Sequence, residues 1–333
     1  MGAKSINYIR NACLVGDELF FIVNENNALY SLSLKEERIV HKVSNLIALD
    51  SQWTLCEYKN LLYCISLIDA QVIVYDKLWA KQKLLVKLNN KKPFIDARLI
   101  EDKLYFIPWN LDDKTYVYCI QDGSMQVEQI DIDDGEDNQI YRWSFFKNLL
   151  LVVLKERPYF YEIDLDTRNV KKIYSHLFLQ ISDVIRDELN YYITTEKEGG
   201  VLEIQGVNTA ESVFVEKHDR EGYRKILSDG ENLFLDADKE MDCFRADRKI
   251  ITLPMMLRRK ERGSNFFSVV KTDVEWIFIP WLSNKIVFLS ASMSEYSQIE
   301  LQLPSDEYIH ASQMIYECDF ELADFIEGVV GRE

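Results

Sequence analysis

Polar and apolar positions along this chain fall into short bursts, and the bursts recur. A polar turn precedes a run of apolar residues in GDELFFI from Gly16, KNLLYCI from Lys59, EDKLYFI from Glu101, KNLLLVV from Lys147, RDELNYYI from Arg186, GENLFL from Gly230 and VEWIFI from Val274. With Leu19, Leu62, Leu104, Leu150, Leu189, Leu233 and Trp276 taken as equivalent, the intervals are 43, 42, 46, 39, 44 and 43 residues. Two of the copies share a rarer ending: YFIPW at Tyr105 to Trp109 and IFIPW at Ile277 to Trp281, with starts 172 residues apart. A proline ends a strand because it has no N–H to give to the ladder.

The flanks repeat as well. A run such as RNACLV from Arg10, DARLI from Asp96 or RWSFF from Arg142 comes before the core, and two further runs follow it, as in YFYEIDL then VKKIYS. Each run is four to seven residues long and rich in Val, Ile, Tyr and Phe. Several alternate apolar with polar residues, which is the period of a strand; a helical repeat would instead space its apolar residues at i, i+3, i+4 and i+7. The pattern therefore predicts four antiparallel strands per unit.

Four-stranded units of 40 to 45 residues, stacked because none can bury both faces alone, are the signature of a β-propeller blade. The chain resembles the β-propeller superfamily in the WD40-like, kelch-like or quinoprotein-like sense, over roughly Tyr8 to Leu303. The resemblance implies an all-β, seven-bladed propeller of four-stranded blades. Blades are expected near 7–43, 49–89, 94–132, 140–175, 178–217, 222–254 and 265–303. Blade-ending Trp-Asp pairs and the SxDxGxTW box are missing, and the one Gly-Gly pair, Gly199-Gly200, lies in a turn and not in a kelch pattern, so no family's functional residues carry over. The propeller is expected to fill 1–304, leaving 305–333 as a tail, in strand or short-helix form, that packs on the ring, begins an eighth blade or docks on a partner.

Charge narrows the partners. Lys and Arg number 39 against 55 Asp and Glu, for a net charge of −16, which opposes binding to nucleic acid or an anionic membrane. With no leader-like apolar region after MGAKSINYIR and no run of about 18 apolar residues, the chain reads as cytoplasmic. Its six cysteines, Cys13, Cys56, Cys64, Cys119, Cys243 and Cys318, form no CxxC pair and read as packed, reduced thiols.

Position in a blade then nominates residues. Loops joining strand two to three and strand four to the next blade share one face, which places Trp109 and Trp281 there, either stacking on a sugar or peptide or capping their own blades. Arg258, Arg259, Lys260 and Arg262 form a dense basic loop on the same face, either an anion site or a solvated loop. Asp131, Asp133, Asp134, Glu136 and Asp137 form an acidic one, which lacks the downstream bidentate Glu of a calcium loop. Arg10, Arg98, Arg142 and Arg224 begin predicted innermost strands; they are placed to grip a carboxylate or phosphate at the channel mouth, or to pair with acids such as Asp96 and Asp183.

Catalytic signatures are sparse. The four histidines, His41, His176, His218 and His310, have no ligand-like spacing, and no GxSxG, P-loop or GxGxxG occurs. The expectation is a binding or scaffold propeller for a protein or peptide, using neither metal nor cofactor. The alternative is a small-ligand or glycan propeller with hydrolase or lyase chemistry, its site surrounded by Trp109, Trp281 and the channel arginines.

Overall fold

The computed structural model describes residues 9–23, 28–36, 38–43, 53–68, 71–75, 81–87, 93–111, 113–129, 139–197, 199–209, 211–217, 222–237, 240–245, 249–256, 266–280 and 285–300. The tail at 305–333, the acidic loop at 131–137, the basic loop at 258–262 and Trp281 lie outside these described residues.

Strands follow one another in sequence order. The first blade holds β1 (Ile9–Val15), β2 (Glu18–Val23), β3 (Ala28–Ser33) and β4 (Arg38–Val43); the second β5 (Trp53–Tyr58), β6 (Leu61–Ser66), β7 (Gln71–Tyr75) and β8 (Lys81–Lys87). The third holds β9 (Phe94–Ile100), β10 (Lys103–Pro108), β11 (Lys114–Cys119) and β12 (Met125–Gln129); the fourth β13 (Ile140–Phe146), β14 (Leu149–Leu154), β15 (Tyr159–Asp164) and β16 (Val170–Tyr174). The fifth holds β17 (Asp183–Arg186), β18 (Asn190–Thr194), β19 (Val201–Gly206) and β20 (Ser212–Glu216); the sixth β21 (Lys225–Ser228), β22 (Leu233–Ala237), β23 (Glu240–Phe244) and β24 (Ile250–Met256). The seventh is β25 (Phe266–Lys271), β26 (Glu275–Pro280), β27 (Lys285–Ser290) and β28 (Tyr296–Glu300). Each set of four is one antiparallel sheet, hydrogen-bonded in chain order, and the protein is a seven-bladed β-propeller.

The apolar bursts are the second strands, and their period of two explains why they read as nearly unbroken. Successive side chains leave a strand on opposite faces, and here both faces are buried between blades. In β14, Leu150, Val152 and Leu154 pack toward the third blade, while Leu151 and Val153 pack toward the fifth. In β10, Leu104 and Phe106 face the second blade while Tyr105 and Ile107 face the fourth. Burying one such side chain contributes about 1.5–3 kcal/mol, so the ring is held by apolar packing between sheets.

The same rule closes the ring. Leu19, Phe21, Tyr30 and Leu32 of the first blade pack against Ile277, Ile279, Ile286 and Phe288 of the seventh. Each blade draws its four described strands from one continuous stretch of the chain.

One equivalence read from the sequence is corrected. Leu189 lies in the β17–β18 turn and is 73% exposed, while Tyr191, the second residue of β18, is 2% exposed and holds the core position facing the preceding blade. The turn of blade five carries this leucine two residues ahead of the core position, which shifted the apparent match.

Backbone conformation sets the tight turns between first and second strands. Left-handed φ values occur at Gly16 (62°), Lys59 (52°), Asn60 (61°), Glu101 (54°), Lys147 (54°) and Gly230 (95°). Glycine adopts such angles freely, whereas Glu101 and Lys147 do so against Cβ sterics.

Candidate functional site

Antiparallel order puts the start of every first strand and the end of every second strand on one face, together with the inter-blade loops. The first strands are neighbours around the axis, β1 beside β5, β13 beside β17, β17 beside β21 and β21 beside β25. Where they begin, on this loop face, charged side chains converge on the channel mouth.

Bulges shape that mouth. In β1 the register slips between Ile9 and Ala12, in β13 between Ile140 and Arg142, and in β25 between Phe266 and Ser268. Arg10, Tyr141 and Phe267 therefore sit in corresponding bulges, where the ladder is interrupted and a side chain or carbonyl is re-aimed. Phe267 shows the consequence: its carbonyl accepts a hydrogen bond from Lys225 Nζ at 2.6 Å, and its ring centroid lies 4.9 Å from that ammonium.

The acids of the mouth are held by N–H groups. Asp183, 3% exposed, accepts from the amides of Val184 at 3.0 Å and, across the blade interface, Ile226 at 2.8 Å. Asp96 accepts from the Ala97 amide at 2.9 Å and from the Trp143 indole of the next blade at 2.8 Å. Each carboxylate thus laces one inner strand to the next. Tyr141 adds a longer contact, donating from its hydroxyl to Glu196 at 3.4 Å.

Burial moves the titrations. Asp183 is raised from 3.8 to about 6, by desolvation first, against the amide bonds and the charges of Lys225 and Arg142 that favour its ionised form. Lys225 is lowered from 10.5 to about 8, by desolvation first, with Asp183 opposing and the Arg142 charge adding to the fall. The charges of Asp236 and Asp96 also oppose the fall.

Arginines at the axis do not behave as simple ion-pair partners. Arg142 stacks over the Tyr141 ring at 4.4 Å, donates from an NH1 hydrogen to the Tyr141 carbonyl at 3.1 Å, and has a buried Nε with no hydrogen-bond partner among the described residues. Arg98 is exposed and lies over the Phe145 ring at 5.5 Å. Both guanidinium groups thus lie on an aromatic face supplied by the inner strands. Arg224 is half-buried, and its amide donates to the Asp236 carbonyl at 2.9 Å. Arg10 occupies the β1 bulge.

Trp109 reaches the loop face but turns inward. Its side chain packs on the core between blades three and four, its carbonyl accepts from the Ile140 amide at 2.9 Å, and its indole nitrogen is buried without a partner among the described residues. Pro108 ends β10 at a register slip, as Pro280 ends β26 opposite Phe266. Arg258, Arg259, Lys260, Arg262 and Trp281 are outside the described residues.

Sequence reasoning missed Lys225 and a second set of buried acids on the third strands. Glu162 is bound by Arg186, by the Tyr191 hydroxyl at 2.7 Å and by Lys171 at 3.3 Å. Glu203 accepts from the His176 amide at 2.9 Å and from the hydroxyls of Ser175 at 2.5 Å and Ser212 at 3.1 Å. Asp242 accepts from Lys217 at 2.8 Å and the Tyr223 hydroxyl at 2.9 Å. These acids occupy blade interfaces and are filled by donors, so they read as interblade ties. The signal was available: a lone acid inside an apolar strand, as in YFYEID or EMDCF.

Elsewhere, a depression of about 320 Å³ lies between blades six and seven on the opposite face, lined by Arg245, Lys271, Glu275 and Trp276 among others. Among the described residues, no group of three or more His, Cys, Asp or Glu is arranged to hold a metal ion. The five described cysteines are free thiols, and burial pushes Cys13 on β1 up to about 12.

Comparison with known proteins supports the fold and stops there. No family model matches the sequence, and no curated protein matches it. Among solved structures, the chain is similar to virginiamycin B lyase from Staphylococcus aureus, with a TM-score of 0.60 and 10% identity over 84% of this chain and 94% of that one. It is also similar to the computationally designed protein Ika8, with a TM-score of 0.59 and 9% identity over 89% of this chain and 88% of that one. A third is PorZ, a bacterial surface component of the type-IX secretion system of Porphyromonas gingivalis, with a TM-score of 0.59 and 11% identity over 90% of this chain and 38% of that one. A lyase, a designed protein and a secretion component share this architecture, so the likeness shows the propeller and not an activity.

Proposed function

We propose that this chain is a non-catalytic binding module that engages a protein or peptide partner through its loop face, centred on the channel mouth. The observation that supports this reading is the construction of the mouth: Arg142, Lys225, Asp183 and Asp96 are fixed on rigid inner strands, and both acids already accept N–H bonds. Acids occupied in this way are poor general bases but good fixtures, and a rigid ring of charge presents a binding surface at little ordering cost. The net charge of −16 favours a partner that is neither nucleic acid nor an anionic membrane, and the reading keeps the protein in the cytoplasm.

A second reading, a small-ligand or glycan propeller with lyase chemistry, draws on the unpartnered Arg142 and on the likeness to virginiamycin B lyase. A histidine-to-alanine form of that lyase is catalytically inactive. Here the described histidines lie away from the axis, His41 on the outermost β4 and His176 in the β16–β17 loop, which favours the first reading.

The test is capture of partners from the source cells on immobilised wild-type protein and on Arg142→Gln and Trp109→Ala variants, each checked for folding. A protein retained by wild type and lost from Arg142→Gln supports the reading. Equal retention on all three, or retention of no protein at all, overturns it.

A further inference from the structure

We propose that β20, the outermost strand of blade five, is a self-association edge that pairs antiparallel with the same strand of a second copy of this chain. The inference goes beyond the proposed function, because it concerns the rim of the ring and not its loop face.

The first observation is how the other rims are guarded. An outermost strand offers a free row of amides and carbonyls, and a bulge, lysine or proline on such an edge discourages pairing with another chain. β4, β8 and β24 are bulged against their neighbours, β24 also carries Pro254, and β16 carries the exposed Lys171 and Lys172. β20 has none of these devices and pairs with β19 in unbroken register from Ser212 to Glu216. It exposes two adjacent large apolar side chains, Val213 at 48% and Phe214 at 42%. The likewise regular β12 and β28 expose one each among the described side chains, Val127 and Tyr296.

The second is the direction of the backbone groups. The Glu211 carbonyl and the Lys217 amide turn inward, to Gly206 and Gly200. Alternation along the strand then turns the amides and carbonyls of Ser212, Phe214 and Glu216 outward, from the last strand of its sheet. A second β20, laid antiparallel about a two-fold axis at Phe214, meets them with the same set. Phe214 faces Phe214 in a doubly hydrogen-bonded pair, and Ser212 faces Glu216 at either end.

The third is that ESVFVEK, from Glu211, complements itself in that register. Val213 lies opposite Val215 and Glu211 opposite Lys217, so apolar meets apolar and acid meets base, while Phe214 gains an aromatic partner. Lys217 is itself fixed by Asp242 at 2.8 Å. A slipped register would set Phe214 opposite Ser212 or Glu216 and shorten the pairing. The β16–β17 loop, where Leu177 and Leu179 are exposed, is tied to the strand by His176 Nδ1 and the Ser212 hydroxyl at 2.8 Å, which widens the apolar area. One strand and its flanks are still small beside the roughly 1,200–2,000 Å² of stable interfaces, and a net charge of −16 on each copy opposes approach, so the dimer is weak.

Sedimentation velocity on the full chain, from about 1 to about 300 μM, tests the inference. Wild type is expected to move toward dimer as concentration rises, and Val127→Lys on β12 to do the same. Phe214→Lys sets like charges opposite one another and is expected to associate at least about tenfold more weakly. Because position 214 faces itself across the two-fold, mixing Phe214→Lys with Phe214→Glu is expected to restore association that neither variant shows alone. A wild type that stays monomeric throughout overturns the proposal. So does a Phe214→Lys that associates as wild type does, or a mixture no more associated than its components. Should the Phe214 variants fail to fold, Val213→Lys on the other face of β20 replaces them, and wild-type association in it overturns the proposal equally.

Discussion

Lys225 donates to the Phe267 carbonyl at 2.6 Å, tying the inner strand of blade six to the bulge that opens the inner strand of blade seven. With the Asp183 bond to the Ile226 amide at 2.8 Å, this links three consecutive blades at the axis. The tie places two perturbed titrations within one structural joint, and stability should report on both.

Asp183 is raised from 3.8 to about 6 in the folded protein. Between those values the folded state keeps a proton that the unfolded state has lost, so stability falls as pH rises through that window. Lys225 is lowered from 10.5 to about 8, so between those values the unfolded state holds the extra proton and stability rises with pH. Urea midpoints measured across both windows should show the first limb flattened in Asp183→Asn and the second in Lys225→Met. Unchanged limbs in the variants would contradict the assignment.

Ring closure by packing makes the seam between blades one and seven a stability determinant. Ile277 is fully buried there, and Ile277→Ala is expected to cost about 2–5 kcal/mol. Leu179, 83% exposed, gives the contrast, with Leu179→Ala expected within about 0.5 kcal/mol of wild type. Denaturant unfolding measures both, and a near-neutral Ile277→Ala would show that something other than this cluster holds the seam.

Glu101 holds φ at 54° in an exposed turn where glycine would be unstrained. Glu101→Gly should therefore stabilise the protein, by up to about 1 kcal/mol. A lower midpoint in the same unfolding assay would refute this.

Gly222 brings the start of blade six against the backbone of the preceding blade. A Cβ there would meet the Thr195 carbonyl oxygen at 2.4 Å and Glu196 backbone carbon at 2.5 Å, neither of which can yield as a side-chain tip could. Gly222→Ala is expected to cost about 1–3 kcal/mol, read as a lowered thermal midpoint. An unchanged midpoint would mean that the approach is looser than the geometry gives.

The propeller was legible because alternation and period are local properties: Leu19, Leu62 and Leu104 recur where the same strand returns to the same interface. Leu189 misled because it is an apolar turn residue two positions ahead of the core position, and only packing shows that Tyr191 fills that position. At the mouth, arginine at the start of an inner strand pointed to Arg142. Lys225 was missed because its role depends on a bulge in a strand 42 residues away, at Phe267, and a bulge leaves no mark in hydrophobic patterning. At Trp109 the IPW motif marks a strand end and a half-buried ring packed on the core between blades three and four.

The central claim is that the loop face at the channel mouth is the binding face. Its most direct measurement is the affinity of a captured partner for wild-type protein, for Arg142→Gln at the mouth and for Lys147→Ala in the β13–β14 turn on the opposite face. The account predicts a loss of at least about tenfold for Arg142→Gln, as befits a charge-assisted contact, and none for Lys147→Ala. Wild-type affinity in Arg142→Gln together with a loss in Lys147→Ala would contradict it and move the binding face to the other side of the ring.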